Sequence, residues 1–243
     1  MLAIYKKELH TFFGSPIGYL IVGLFLTLNS LFLWVFKNDY NVFDYGFADL
    51  SKFFFLTPWV FLFMIPAITM KSFSDENKMG TLELLLIKPI GLWRIVQGKF
   101  WGAFSVTLIA LIPTLIYVFS ISQLGTTLGN YDLGMVIGSY FGLIFLVFVF
   151  TAIALFASSI SSNQILAFIL GGLLCFLFYY GFEAVASLFN SGEIKDFVSS
   201  MGARAHFKTI ASGLIDSRDL VYFASIGLFF LLMTQLRLKH LSK

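Results

Sequence analysis

The sequence predicts an all-α, polytopic membrane protein: six transmembrane helices, an amphipathic N-terminal helix lying in the membrane interface, and a short polar helix on the cytoplasmic side. Three observations predict it. Of 243 residues, 58% are hydrophobic and 19% aromatic. Only 12% are charged, about half of the roughly 25% that a soluble domain carries. Apolar stretches of about the 20 residues needed to cross a bilayer recur six times, and mean hydropathy is +0.89.

The elements follow in chain order. Within residues 1–14, a helical wheel at 100° per residue places Leu2, Tyr5, Leu9, Phe12 and Phe13 in an arc of about 100°. Lys6, Lys7, His10 and Thr11 fall on the other side, and Ile4 is the exception. Such a helix lies in the interface with its aromatic residues in lipid and its lysines among head groups. The stretch lacks a small-residue cleavage site before the first long span, so it does not read as a cleavable signal peptide. The apolar spans are about 17–36, 53–70, 101–122, 135–158, 165–189 and 220–236, free of charge except for Glu183 in the fifth. Pro58 and Pro66 punctuate the second and Pro113 the third, where neighbouring helices or water can satisfy the freed carbonyls. "GSYFG" (138–142) and "ILGGLL" (169–174) put small residues where helices can approach closely.

Lysine and arginine set the orientation. Ten of the 16 fall in segments that share a side with the N-terminus, and four of the remaining six lie in the one long loop 190–219. The positive-inside rule therefore places both termini in the cytoplasm. The single cysteine, Cys175, allows no intrachain disulfide. With no repeat, no low-complexity run and no separate soluble stretch, residues 1–243 read as one transmembrane domain.

The segment 71–100 between the second and third spans is unlike its surroundings. It holds five of the ten inner basic residues, and a loop of about 30 residues inside a compact protein needs a reason. Within it "GTLELLL" reads as a short helix. Gly80 is free to adopt a turn, Thr81 is an N-cap, Glu83 in the first turn favours the helix dipole, and Pro89 ends the element. Leu82, Leu85 and Leu86 share one side, with Glu83 opposite or flanking. The helix is too short to span a membrane and too rich in leucine to stand bare in water. It either folds back on the bundle or presents itself to a soluble partner.

The stretch "SFSDENKMGTLELLLIKPIGLWRIVQGKF" resembles the cytoplasmic segment of ABC-2 type permeases, the membrane subunits of ABC exporters. The matching positions are Asp75, Glu76, Gly80, Thr81, Leu82, Glu83, Pro89, Gly98 and Lys99. The amphipathic start, the six spans and "HFKTIASGLIDSRDLVYF" before the last span extend the likeness over essentially the whole chain. Within the family, "HFKTIASGLIDSRDL" looks most like the gliding-motility-associated permeases of Bacteroidota, and next like those of the copper and nitrous-oxide-reductase maturation cluster. The resemblance implies a multi-pass protein of the bacterial inner membrane that pairs with an ABC ATPase and with a second copy or a related permease. It implies a coupling helix at Gly80, Thr81, Leu82, Glu83, Leu85 and Lys88, and a shorter contact at Ser161 and Asn163 in the turn 158–164. ATP and magnesium then belong to the ATPase. This chain has no Gly-x-x-x-x-Gly-Lys-Ser/Thr loop to hold a nucleotide.

Other chemistry finds no support in the pattern. His10, His206 and His240 are dispersed, no metal-ligand spacing occurs, no nucleophile–base pair stands out, and no catalytic residue is expected. A net charge of +3 gives no footprint for nucleic acid. Glu183 is the one acid near a span; it sits either at membrane depth or at the outer interface, where "GFEAVASLFN" could form a short re-entrant helix. Arg204, His206, Asp216 and Arg218, with Lys208 and Asp219, make a charged outer segment that is either a self-paired cap or a substrate gate. A non-transporting scaffold that anchors a motility or secretion complex is the rival to a permease. An ion channel or ion-coupled carrier is disfavoured because no apolar span carries an acid except Glu183.

Overall fold

The computed structural model of the chain describes residues 1–87, 90–125, 131–190 and 192–241. Among these there is no strand, and six helices are long and apolar enough to cross a membrane. They are Pro16–Val35, Ser51–Lys78, Leu92–Leu124, Leu133–Ile160, Gln164–Ala186 and Ser217–Leu241, the first to sixth spans. The chain is a multi-pass, all-helical membrane protein. Six crossings put helix Leu2–Phe13 and the end of the sixth span on one face, here the termini face.

The fourth span is the axis of the bundle and packs on the second, third, fifth and sixth. Of its apolar stretch 72% is buried, against 22% for the first and fifth spans, whose Leu20, Leu24, Ile165 and Leu173 point outward. Lipid is as apolar as leucine, so helices in it are held by close shape complementarity at small residues and by hydrogen bonds. Gly171 supplies such a site: an added Cβ would stand 3.3 Å from Pro66 and 3.5 Å from Ala154. At Gly172 it would stand 3.4 Å from the Leu62 carbonyl oxygen, which Pro66, lacking an N–H, leaves without its helical donor. Gly227 of the sixth span makes room for the Phe148 ring, 2.1 Å from where a Cβ would be. Asn29 and Thr57, both buried, join the first and second spans at 3.3 Å.

Pro58 and Pro66 lie inside one continuous second helix. Pro113 sits in a 3₁₀ turn, Ile112–Thr114, of the third span, where the Thr114 hydroxyl reaches both the Leu111 carbonyl (2.6 Å) and the Tyr140 hydroxyl (3.0 Å). Two helices, Gly192–Ser199 and Ala203–Ala211, cover the face away from the termini, and Ala203–Ala211 packs on the fourth span. "GSYFG" serves this packing rather than span-to-span contact. A Cβ on Gly138 would come 2.6 Å from the Ile210 carbonyl oxygen, and one on Gly142 would come 3.1 Å from the Phe207 ring.

Two expectations are corrected. Residues 71–100 are not a long loop: the second span runs on to Lys78 and the third begins at Leu92. Apolar patterning stops at Met70 because the bilayer does, but a helix satisfies its own backbone in any solvent. At 1.5 Å per residue the 28-residue second span is about 42 Å long, against about 30 Å of hydrocarbon. Residues 182–186 form no re-entrant helix. They continue the fifth span as its last turn, after a π-helical stretch at Leu177–Gly181.

Gly138→Ala drives a methyl group into the Ile210 backbone and is expected to lower stability by about 1–3 kcal/mol. Gly23→Ala, which meets nothing within 4 Å, is expected to be neutral or to stabilise by up to about 1 kcal/mol. Thermal unfolding of the two variants in detergent checks the pair.

Candidate functional site

The site grows from one residue of the third span. Lys99 is 1% exposed. A buried ammonium is tolerated only when charges and acceptors surround it. Here Nζ donates to Glu8 Oε1 of the N-terminal helix (3.0 Å) and to the Ser72 carbonyl of the second span (2.6 Å). It also contacts Glu76 Oε2 at 3.1 Å, an ion contact without hydrogen-bond alignment, and lies 4.9 Å from the Phe73 ring centroid. Lys7 closes the network from the surface, donating to Glu76 Oε1 at 3.0 Å. That hydrogen bond holds the Lys7 amine above the ordinary lysine value of 10.5, with burial opposing it.

Glycines let the N-terminal helix come close enough. A Cβ on Gly98 would stand 2.9 Å from Ile4, and one on Gly102 2.6 Å from Glu8. Ile4, the exception on the helical wheel, is the one buried residue of helix Leu2–Phe13 and faces the third span. The Tyr5 hydroxyl adds a bond to Ser105 at 3.2 Å. The N-terminal helix is therefore docked on protein as well as being amphipathic.

The network brackets a short helix, Thr81–Ile87. Gly80 turns the chain between it and the second span with φ of +69°, a conformation glycine adopts without strain. Thr81 is the first helical residue rather than a cap, and its hydroxyl reaches back to the Glu76 carbonyl at 3.4 Å. Leu82 is buried, Leu85 half-buried, and Glu83 exposed. Lys88 and Pro89 lie outside the described residues. On the same face, Ser161 and Asn163 close the turn between the fourth and fifth spans. Ser161 Oγ accepts from the Asn163 N–H at 3.0 Å, and the Asn163 side chain caps the fifth span through the Ile165 N–H at 2.9 Å. The Gln164 side chain donates to Asp75, and Ser158 Oγ donates to the Met70 carbonyl at 3.0 Å, so this turn is tied to the second span.

The opposite face carries a second charged cluster. Glu183 accepts from Arg204 (2.8 Å) and Lys208 (3.2 Å). The Arg204 guanidinium lies among three rings, 5.2 Å from Phe55, 5.9 Å from Trp59 and 5.1 Å from Tyr180. His206 stacks on Tyr222 at 3.9 Å, with Nδ1 2.6 Å from Asp219 and Nε2 2.8 Å from the Ser200 carbonyl. Asp216 and Arg218 are both exposed; Asp216 accepts from the Arg218 N–H at the start of the sixth span, and Arg218 lines one cavity with His206 and Tyr222. Among the described residues, no cluster of His, Cys, Asp or Glu is placed to hold a metal ion.

Six apolar helices with ion networks at both ends define a polytopic membrane component. The chain belongs to the ABC-2 transporter family: the family model described as "ABC-2 family transporter protein" matches residues 2–235. Members are transport components of the membrane, not themselves catalytic, and the family implies an ABC ATPase partner. No curated protein matches the chain.

The network that sequence reasoning missed as a site is the one around Lys99. Gly98 and Lys99 stood out only as part of the family pattern, yet "GKFWG" (98–102) has the same small-residue spacing as "GSYFG". Lys99→Met leaves Glu8 and Glu76 without their shared cation and is expected to destabilise by about 3–5 kcal/mol. Lys7→Met, at an exposed amine, is expected to cost about 0–1 kcal/mol. Because the Lys7 value is raised, its contribution is present below 10.5 and fades only as pH climbs through the higher folded value. The Lys7→Met difference should therefore be flat across about pH 6–9, measured by thermal unfolding.

Proposed function

We propose that the chain is the permease subunit of an ATP-driven ABC-2 exporter in a bacterial inner membrane. The termini face is then cytoplasmic, as the lysine and arginine distribution supports, and the whole chain acts as one transmembrane domain. Helix Thr81–Ile87 is the coupling helix. The observation that carries this reading is its setting: an exposed Glu83 on a short helix whose two flanking spans are joined through Lys99 to Ser72 and Glu76. A push on such a helix moves both spans and, through Glu8, the N-terminal helix. Ser161 and Asn163 sit on the same face and supply a smaller contact. ATP and magnesium are bound by the ATPase, and two permease chains complete the transporter. The likeness of "HFKTIASGLIDSRDL" to gliding-motility permeases supports a place in that machinery. Glu183 with Arg204 and its aromatic neighbours is the corresponding outer-face candidate for a gate.

A ligand shifts a conformational equilibrium only by binding its states differently. Contacts of Glu83 and its neighbours must then differ between open and closed ATPase. The test is recovery of the ATPase encoded beside this chain with wild type and with Gly80→Ala plus Glu83→Arg, both checked for membrane insertion. About a tenfold loss of recovery, the equivalent of ~1.4 kcal/mol, is expected. Undiminished recovery would show that the helix is bundle packing and would favour a membrane scaffold.

A further inference from the structure

Two cavities on the flank between the first and second spans join into one cleft. The first, of about 290 Å³, opens at the termini face beside Lys7, Lys71, Asp75 and Glu76. The second, of about 440 Å³, is an apolar groove between Leu24 and Phe25 of the first span and Val60 and Phe63 of the second, reaching Phe168 of the fifth. Ile21 and Ala67 line both, so the charged mouth and the groove meet at these two residues. From Lys71 to Val60 the second span rises about 16 Å, and one leaflet holds about 15 Å of hydrocarbon.

We propose that this cleft holds one glycerophospholipid with a phosphoethanolamine head group, taken from the leaflet at the termini face. The length fits an acyl chain with its head at the mouth, and the apolar walls give a free head group nothing to bind. The charges select the head. Lys99, Glu8 and Glu76 are occupied with one another. Lys7 is paired with Glu76. That leaves exposed Lys71 for a phosphate and half-buried Asp75, one of whose oxygens accepts from Gln164, for an ammonium. Lys71 and Asp75 are one helical turn apart, about 6 Å between Cβ atoms, which suits a phosphate and an amine separated by two carbons. A choline head offers Asp75 no N–H. A glycerol head offers it no cation, and its net negative charge meets a mouth that carries acids as well as lysines.

The test is native mass spectrometry of the whole chain, delipidated in detergent and offered palmitoyl-oleoyl phosphatidylethanolamine, phosphatidylglycerol or phosphatidylcholine. One phosphatidylethanolamine per chain is expected, retained over both others by about fivefold, the effect of one ion contact near the head groups. Ala67→Trp, which fills the seam between the cavities, should abolish retention. Lys71→Glu should reduce it about fivefold, and Asp75→Asn should remove the preference over phosphatidylglycerol. Equal retention of the three lipids, or a preference for phosphatidylglycerol, overturns the proposal. So does retention unchanged in Ala67→Trp. If that variant does not fold, the two surface variants decide: an unaltered lipid preference in both sinks the proposal.

Discussion

A lysine amine with 1% exposure is the constraint around which the termini face is built. Removing such a group from water costs several kcal/mol unless acceptors are already in position. Those around Lys99, which itself stands on the third span, come from two other segments, the N-terminal helix and the second span. None of the three can sit far from its present place without stranding the charge. The requirement reaches back into the sequence. Glu8 can approach only because Gly102 has no side chain, and Ile4 only because Gly98 has none. Four charges, two of each sign, are balanced within the network, so it closes without drawing on outside ions. Pairs of this kind add little net stability against a well-packed apolar alternative. Their value here is geometric: they specify which surfaces meet.

Between the two charged ends the bundle is held differently. Buried hydroxyls of Thr57, Thr69, Thr107 and Thr234 turn back to carbonyls four residues earlier in their own helices. Cross-span bonds are few and neutral, such as Asn29 with Thr57 and Ser158 with the second span. Charges at the bilayer centre are expensive, so ion networks belong near the interfaces, where long side chains can reach water. Glycine contacts add close packing at depth, as at Gly171 against Pro66 and Gly227 against Phe148.

The number and position of the six spans could be read from the sequence because twenty apolar residues in a row have few other uses. Their ends could not. Hydropathy reports where lipid stops, while the helix stops where its capping geometry changes, and the second span overshoots Met70 by two turns. The same blind spot hides the site: hydropathy leaves Lys99 outside the third span because charge ends the apolar count, although it lies seven residues beyond the first residue of a helix. Ile4 was the misfit on a wheel drawn for lipid, since a wheel cannot tell a protein-facing stripe from a lipid-facing one. On the opposite face the residue types were visible but their pairing was not. Glu183 with Arg204 spans 21 positions and His206 with Asp219 spans 13, and only the fold brings each pair together.

The second span links these regions mechanically. At the termini face it supplies Glu76 and the Ser72 carbonyl to Lys99, and two residues beyond its end Gly80 turns into helix Thr81–Ile87. Near its other end Phe55 and Trp59 form two walls around Arg204. One helix therefore touches both charged clusters. A continuous helix passes a displacement at one end to the other unless it bends, and bends concentrate where proline interrupts the hydrogen-bond ladder. Pro58 and Pro66 are the two such points, and Gly172 brings the fifth span against the carbonyl that Pro66 leaves open. Pro58 and Pro66 are therefore the points where this continuous helix has the fewest backbone hydrogen bonds to resist bending, while its two ends are bound to different clusters. If Thr81–Ile87 is the coupling helix proposed above, the second span is, among the described residues, the one helix that runs from beside it to the far-face cluster at Arg204.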